Sequence, residues 1–167
     1  MVWYTSLAIG SSTALAHYFM NKYKGIEVIV NRNGSQRVLQ MVMQEASASI
    51  KNADVIHTSD AGHFVLLKGK GLLAPYSPKA AEVFPAGFKD SAGFFYGMRA
   101  TLSVNAYNPR IVAEKDAPKT WNDVLDAKWR GKEVTAHPSY SGIIMTHVLA
   151  LVKQRSEERR VGKECRL

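Results

Sequence analysis

Short apolar runs alternate with stretches of helical periodicity in the first half of the chain, and this alternation limits the fold more than any other feature. β-Branched and aromatic runs predict three strands, at Val2–Thr5, Ile26–Val30 and Ala53–Ile56. Apolar residues at three- and four-residue steps predict three helices, at 11–24, 35–47 and 61–68. Strands that alternate with helices at this spacing indicate an α/β fold with a largely parallel sheet.

The sequence after residue 70 is more irregular. Extended segments are expected at 94–100, 101–106 and Lys132–Ala136, and helices at Trp121–Lys128 and Ser141–Leu151. The α/β pattern therefore continues to the second half of the chain, but with more loop between its elements.

Composition excludes several other classes of protein. Apolar residues make up 46% and charged residues 22% of the chain, as in ordinary globular domains. The single cysteine cannot form an intrachain disulfide, and no apolar run is long enough to span a bilayer. The net charge is +8, of which residues 1–152 carry +5. This excess suits a protein that binds anions. The sequence lacks the dense basic stripe with interleaved aromatics that is typical of nucleic-acid binding, so that function is not expected.

The two ends of the sequence carry their own expectations. After Met1 the chain enters the first predicted strand without the charged and apolar regions of a signal peptide, which predicts a cytosolic protein or one whose leader is not in this sequence. Residues 155–167 are rich in charge, lack a clear amphipathic period and include Cys165. They are expected to be a non-native tail, and a solvated extension of the last helix is the alternative.

Small polar residues lie at three junctions where a helix is expected to begin. These junctions are Tyr4-Thr5-Ser6, Gly34-Ser35 and Ser139-Tyr140-Ser141-Gly142. A helix start has unpaired N–H groups and about half a positive charge, so it receives an anion well. The junctions therefore predict a site for a small anion.

The alternative is that these polar residues only cap their helices. Ser11 or Ser12, Ser35 and Asp60 stand at the expected starts of the first three helices, where side-chain oxygens commonly accept a backbone hydrogen bond.

His57, Ser59, Asp60 and His63 allow a different chemistry. Asp60 and His63 are three residues apart, so they can share one face of a helix and bind a metal. A serine–histidine–aspartate arrangement is also possible, although the sequence lacks the G-x-S-x-G motif of a nucleophile elbow. The simpler interpretation is a helix cap at Asp60 and two ordinary histidines.

Several longer stretches match a known family, in a characteristic order. The most specific is Ala117–Lys132 (APKTWNDVLDAKWRGK), and the others are Val2–Leu7, Ala53–Val55, Leu66–Tyr76, Tyr96–Arg99, Ala106–Pro109 and Ala136–Gly142. The chain resembles the family 1 extracellular solute-binding proteins of ABC importers, in the branch that binds ferric iron, phosphonates or sugar phosphates. The resemblance covers residues 1–154.

The resemblance implies a type II periplasmic-binding-protein-like fold, in which two α/β lobes close on a ligand. Residues 1–100 would form the first lobe, 101–107 the hinge crossing and 108–154 the start of a truncated second lobe. Family members are longer than this chain, so the sequence is expected to hold an N-terminal half followed by the tail.

The resemblance also implies a function. The protein would be the substrate-binding component of an ABC transporter, located in the periplasm or at the cell surface, and would pass a small anionic solute such as a phosphonate or phosphate ester to an inner-membrane permease. No enzymatic activity, cofactor or resident metal is expected. The residues expected to line the cleft are Ser6, Ser35, Asp60, Ser139, Ser141 and Gly142. Asp60 is the weaker candidate, because a carboxylate suits a cationic group on the ligand.

Two alternatives remain open at this point. Iron binders of the family use an adjacent tyrosine pair in the half that is absent here and often an early histidine, whereas this chain has Thr5-Ser6-Leu7 at the early position. Ferric-iron binding is therefore the alternative within the family, and an organic anion is the main expectation. A hydrolase or metalloenzyme that uses His57, Asp60 and His63 is the alternative of another class.

Overall fold

Three parallel strands form the centre of the computed structural model, which describes residues 1–162 and the side chains of residues 1–154. The strands are β1 (Val2–Thr5), β2 (Ile29–Arg32) and β3 (Val55–His57), and they lie in the order β2-β1-β3. Helix α1 (Ile9–Lys22) connects β1 to β2, and α2 (Ser35–Ser47) connects β2 to β3. Parallel neighbours require such crossovers, so the prediction of an α/β fold with a parallel sheet is confirmed.

The second and third strands begin later than the sequence predicts. Residues 26–28 run as a loop before β2, and pairing starts with Ile29 opposite Val2. Asp54 lies just before β3, and its side chain accepts a 2.7 Å hydrogen bond from the Val2 backbone. These shifts place Arg32 and His57 at the carboxyl ends of their strands.

The helix starts agree only in part with the predicted caps. Helix α1 begins after Ala8, which offers no side-chain cap, and Ser12 lies inside the helix, where its hydroxyl donates to the carbonyls of Ala8 and Ile9. The prediction of a cap at Ser11 or Ser12 is therefore wrong. Helix α3 (Ala61–Gly69) begins as predicted, because Asp60 Oδ1 accepts a 2.8 Å hydrogen bond from Gly62 N.

The hydrophobic core lies between the sheet and helices α2 and α3. Tyr4 from β1, Val38 and Val42 from α2, and Leu67 from α3 form one buried cluster. The Tyr4 hydroxyl also donates a 2.6 Å hydrogen bond to Glu45 Oε1, which joins β1 to α2. This packing fixes the starts of α2 and α3 relative to the sheet edge.

Loops and 3₁₀ turns make up the chain between α3 and the last helix. The turns are Lys79–Ala81, Ala86–Phe88, Glu114–Asp116, Asp123–Leu125 and Ala127–Trp129. The strand predicted at Lys132–Ala136 does not form, and the segments predicted to be extended at 94–100 and 101–106 pair only through a single bridge between Lys89 and Tyr96. The predicted hinge at 101–107 is loop, and the division into lobes stays a prediction.

The helix predicted at Trp121–Lys128 is broken into two of these turns. Asp126 stands between them with an extended backbone (ψ 136°), and its side chain accepts from Lys128 N. Asp123 instead accepts from the backbones of Lys119 and Thr120 while its own N–H donates to Thr120 Oγ1, the reciprocal pattern of a helix start. The local side-chain bond of Asp126 competes here with a continuous helix.

The last helix, α4 (Gly142–Gly162), has 21 residues and is longer than predicted. The backbone of residues 155–162 continues this helix, whereas residues 163–167 of the predicted tail lie outside the described part of the chain. Whether 155–167 is native stays a prediction. Within residues 1–162, no helix has both the length and the apolar character needed to cross a membrane.

Leu67 provides a test of this core. Leu67 is completely buried, whereas the neighbouring Leu66 on the same helix is 43% exposed. We expect Leu67→Ala to lower the free energy of unfolding by about 2–5 kcal/mol, because it removes buried methyl groups and leaves a cavity. Leu66→Ala is the matched control and should cost far less. Urea unfolding measures both, and equal losses would contradict this description of the core.

Candidate functional site

The carboxyl ends of the three strands lie together at one edge of the sheet. The strands end at Thr5, Arg32 and His57. Backbone hydrogen bonds from Ser6 N to His57 O (2.9 Å) and from Asn33 N to Thr5 O (3.0 Å) extend this pairing beyond the strand ends. Helices α1, α2 and α3 each begin within four residues of a strand end. Their first N–H groups therefore give this edge a positive potential.

Ser35 and Ser59 join the starts of α2 and α3. Their hydroxyl oxygens lie 2.7 Å apart, and Ser59 N donates to Ser35 Oγ at 3.2 Å. Ser35 is only 3% exposed, and Gly34 stands in the N-cap position of α2, where it offers no side-chain cap. The prediction that Ser35 caps α2 is therefore wrong. Its hydroxyl faces Ser59, and the first turn of α2 keeps its N–H groups free of a side-chain cap.

Gly142 brings the start of α4 to the same place. A β-carbon at position 142 would lie 3.0 Å from Ser35 Cβ, 3.1 Å from Asp60 Cβ and 3.1 Å from Ser59 Oγ. Only glycine allows so close an approach without displacement of a neighbour. We call Ser35, Ser59, Asp60 and Gly142 the helix-start cluster. Three of the six predicted site residues thus meet, and their contact with a solute stays a prediction.

The other three predicted residues lie outside this cluster, and of the three only Ser139 and Ser141 make side-chain hydrogen bonds in the described part of the chain. Ser6 follows β1, and its hydroxyl is buried without a hydrogen-bond partner among the described residues. Ser139 is exposed, and its hydroxyl lies 2.6 Å from Nδ1 of His137. Ser141 accepts from Ile144 N at 3.4 Å, as a cap of α4 would. The structure therefore supports a structural role for Ser141 and leaves the ligand role of all three as a prediction.

Sequence reasoning missed a second contact between α4 and the sheet edge. Tyr140, just before α4, packs on Gly34, and Arg32 Nη1 donates a 2.9 Å hydrogen bond to the Tyr140 hydroxyl. The sequence predicts that β2 ends at Val30, so Arg32 and Gly34 are expected in a turn, with no role for Arg32 at the sheet edge. The position of Tyr140 in the Ser139–Gly142 junction was the available signal.

A buried histidine lies next to the cluster. His63 is 4% exposed, and its Nδ1 lies 3.1 Å from Thr58 Oγ1. Its Nε2 lies 3.5 Å from Asp60 Oδ2 but makes no hydrogen bond within the described structure. Burial lowers the pKa of His63, and the Asp60 charge offsets only part of this effect. His63 is therefore neutral near pH 7, so its contact with Asp60 is not an ion pair.

His57 has separate partners. Its Nδ1 lies 2.9 Å from Thr5 Oγ1, and burial together with the charge of Arg99 lowers its pKa. Among the described residues, no group of three His, Cys, Asp or Glu side chains is placed to hold a metal ion. The hypothesis of a hydrolase or metalloenzyme built on His57, Asp60 and His63 gains no support from this geometry.

A large groove adjoins the helix-start cluster. It has a volume of about 1180 Å³ and is lined mainly by apolar and aromatic side chains. Ser59 and Asp60 line it as well, so the groove and the cluster share one wall. Examples of its apolar lining are Trp3, Phe64, Phe84, Phe94 and Met98. Such a surface is suited to cover by other apolar groups.

Comparison with known proteins identifies the family. The sequence model of the family described as bacterial extracellular solute-binding protein matches residues 51–163. The chain belongs to this family. The resemblance inferred from Ala117–Lys132 and the other stretches is therefore confirmed. The family consists of binding proteins associated with transport.

Two curated relatives are similar to the chain over two thirds of its length. A probable ABC transporter periplasmic-binding protein, y4fP, from Sinorhizobium fredii is 34% identical over 114 residues, which are 68% of this chain and 31% of that protein. An Fe(3+)-binding periplasmic protein from Serratia marcescens is 29% identical over 111 residues, 66% of this chain and 32% of that protein. The match thus spans about a third of each relative.

A solved structure supports the same fold. Iron-bound HitA from Pseudomonas aeruginosa matches with a TM-score of 0.68 and 28% identity over 77% of this chain and 41% of that chain. The type II periplasmic-binding-protein-like fold is therefore confirmed. The expected location is confirmed for the family, since its members are extracellular solute-binding proteins and both relatives are named as periplasmic.

The neutral state of His63 gives a pH prediction. The pKa of His63 is lowered in the folded protein. As the pH falls below the ordinary value of 6.5, His63 therefore takes up a proton in the unfolded chain before it does so in the folded chain. The free energy of unfolding should therefore fall from about pH 7.5 to about pH 5.5.

The variant His63→Gln should show a smaller fall over the same range, and the lowered pKa of His57 accounts for part of what remains. The control is His17→Gln, which replaces an exposed histidine on α1. Urea unfolding at each pH measures the fall. If the free energy of unfolding falls equally with pH in His63→Gln, His17→Gln and the unchanged protein, His63 does not cause the pH dependence.

Proposed function

We propose that this chain is part of the substrate-binding component of an ABC importer, and that a small solute binds at the helix-start cluster before transfer to a permease of the inner membrane. The family match and the relative named as an ABC transporter periplasmic-binding protein support the transport role. The observation that carries the position of the site is the meeting of α2, α3 and α4 at Gly142.

The proposed solute is ferric iron together with a small anion. Two similar proteins are an Fe(3+)-binding periplasmic protein and iron-bound HitA, which favours iron over the phosphonate or phosphate ester that the sequence first suggests. In this proposal the described residues supply contacts to the anion, and the iron ligands come from outside them.

The anion would contact the starts of α2 and α4. The first turn of α2 has no side-chain cap, so its N–H groups can donate to an oxygen of the solute. Gly142 lacks a side chain and leaves the backbone at the start of α4 accessible from that side. The start of α3 is less available, because Asp60 already accepts from Gly62 N.

The carboxylate of Asp60 also bears on the charge of the solute. Its side chain is 15% exposed and stands within the cluster. A free anion would meet repulsion from this carboxylate, whereas an anion paired with Fe³⁺ carries less negative charge or none. The presence of Asp60 therefore supports the ferric pair.

The cluster is closed by protein in this structure. Gly142 stands against Ser35, Ser59 and Asp60, and Ser35 is almost completely buried. A solute can reach this place only when the start of α4 separates from α2 and α3. Such a separation is the movement expected of two lobes that open and close about a hinge.

A chimera tests the proposal. In it, this chain replaces the matching segment of HitA, and ferric citrate is titrated while a visible absorption band and calorimetry report binding. We expect Ser35→Ala to weaken binding about tenfold, because in the opened cluster the Ser35 hydroxyl would add a hydrogen bond to the charged solute beside the N–H groups of α2. Ser47→Ala, at the exposed far end of α2, is the matched control and should leave the affinity unchanged.

Three results are informative. Binding that requires iron and is weakened only by Ser35→Ala supports the proposal. Binding of methylphosphonate or a phosphate ester without iron would instead support an organic anion as the solute, which the uncapped start of α2 also favours. Equal affinities of the two serine variants for ferric citrate would show that the solute does not bind at the helix-start cluster.

A further inference from the structure

The aromatic ring of Tyr140 lies directly on the backbone of Gly34. A β-carbon at position 34 would stand 2.6 Å from Tyr140 Cε2, 2.7 Å from Cδ2 and 2.8 Å from the Tyr140 carbonyl oxygen. The backbone at Gly34 has φ −65° and ψ 152°, which any residue can adopt. The close approach of Tyr140, and not the local backbone conformation, therefore requires glycine here.

The hydroxyl of the same ring is held by the end of β2. Arg32 Nη1 donates to the Tyr140 hydroxyl oxygen at 2.9 Å, although the two residues are 108 positions apart in the sequence. Arg32 Nε donates to Leu7 O at 3.4 Å. Both contacts of the guanidinium lie at the carboxyl edge of the sheet. Arg32 thus links Tyr140 both to β2, where the arginine stands, and to Leu7 in the loop after β1.

Tyr140 is placed to control the position of α4. It precedes Gly142 by two residues, and the amides of Tyr140 and Ser141 both donate to the carbonyl of His137, which closes the turn before the helix. Because only one residue separates Tyr140 from Gly142, movement of Gly142 away from Ser35 is expected to carry Tyr140 away from Gly34 as well. The ring is 50% exposed, so water can replace its contacts when it leaves.

We propose that Tyr140, seated on Gly34 and held by Arg32, is a latch that sets how readily the helix-start cluster opens. The latch acts on the site of the proposed function, but its opening can be measured without any solute. Arg32 and Tyr140 are positioning residues in this proposal, because they control access to the cluster rather than the contacts within it.

Gly34→Ala is the first test, because its β-carbon must displace the tyrosine ring. Hydrogen exchange of the 167-residue chain should show the amides of Tyr140 and Ser141 exchanging about 2- to 10-fold faster, as expected when contacts of ordinary strength are lost. Gly10→Ala is the matched control. Nothing lies within 4 Å of a β-carbon at that position, so exchange before α4 should not change.

Tyr140→Phe is the second test and keeps the ring while removing the hydroxyl. It should accelerate exchange of the same amides less than Gly34→Ala does. Tyr18→Phe, at a tyrosine that is 66% exposed on α1, is its control and should have no effect there. In the HitA chimera, Tyr140→Phe should also increase the association rate of ferric citrate.

The outcomes separate this proposal from the proposed function. Faster exchange confined to residues 137–142 supports the latch, even if ferric citrate does not bind. Unchanged exchange in both Gly34→Ala and Tyr140→Phe overturns it. Acceleration that extends equally to the amides of β1 also overturns it, because the contact would then support the whole fold rather than the opening of one site.

Discussion

Parallel pairing of β1 with both of its neighbours is the constraint on which the rest of the structure depends. Because β2 and β3 run in the same direction as β1, each must be reached by a helix that crosses back over the sheet. Every such helix then begins at the same edge, and the buried contacts of Tyr4, Val38 and Leu67 fix that geometry. The positive edge of the sheet follows from strand direction alone and does not require any particular charged residue.

The sequence predicts this part of the molecule well because local signals and tertiary packing agree in it. The strand at Val2–Thr5, the helix at Ser35–Ser47 and the cap at Asp60 are all present, and the α/β class follows from them. The sequence also predicted three residues of the helix-start cluster, Ser35, Asp60 and Gly142, from their positions at helix starts. The contact of Tyr140 with Gly34 could not be read from the sequence, because it joins residues whose proximity is set by the position of α4. The break in the helix at Trp121–Lys128 was missed because the Asp126 side chain bonds to the local backbone there.

The chain presents more surface than a compact protein of its mass. Its accessible surface is 12731 Å², whereas about 8200 Å² is expected for a folded monomer of 18.5 kDa. Large apolar side chains such as Leu102 and Val134 are almost fully exposed, and the apolar groove beside the helix-start cluster adds to this area. In water, such apolar surface favours association between chains.

The seat of Tyr140 on Gly34 has a consequence for how this sequence can diverge. The backbone conformation at position 34 would allow a larger residue, but the ring of Tyr140 above it would not. The residue types at positions 34 and 140 therefore constrain each other. If a residue with a side chain replaces Gly34, a smaller residue is needed at position 140. The guanidinium of Arg32 then loses its hydrogen bond to the Tyr140 hydroxyl. Substitutions at these three positions should therefore be correlated among descendants of this chain, although they are far apart in the linear sequence.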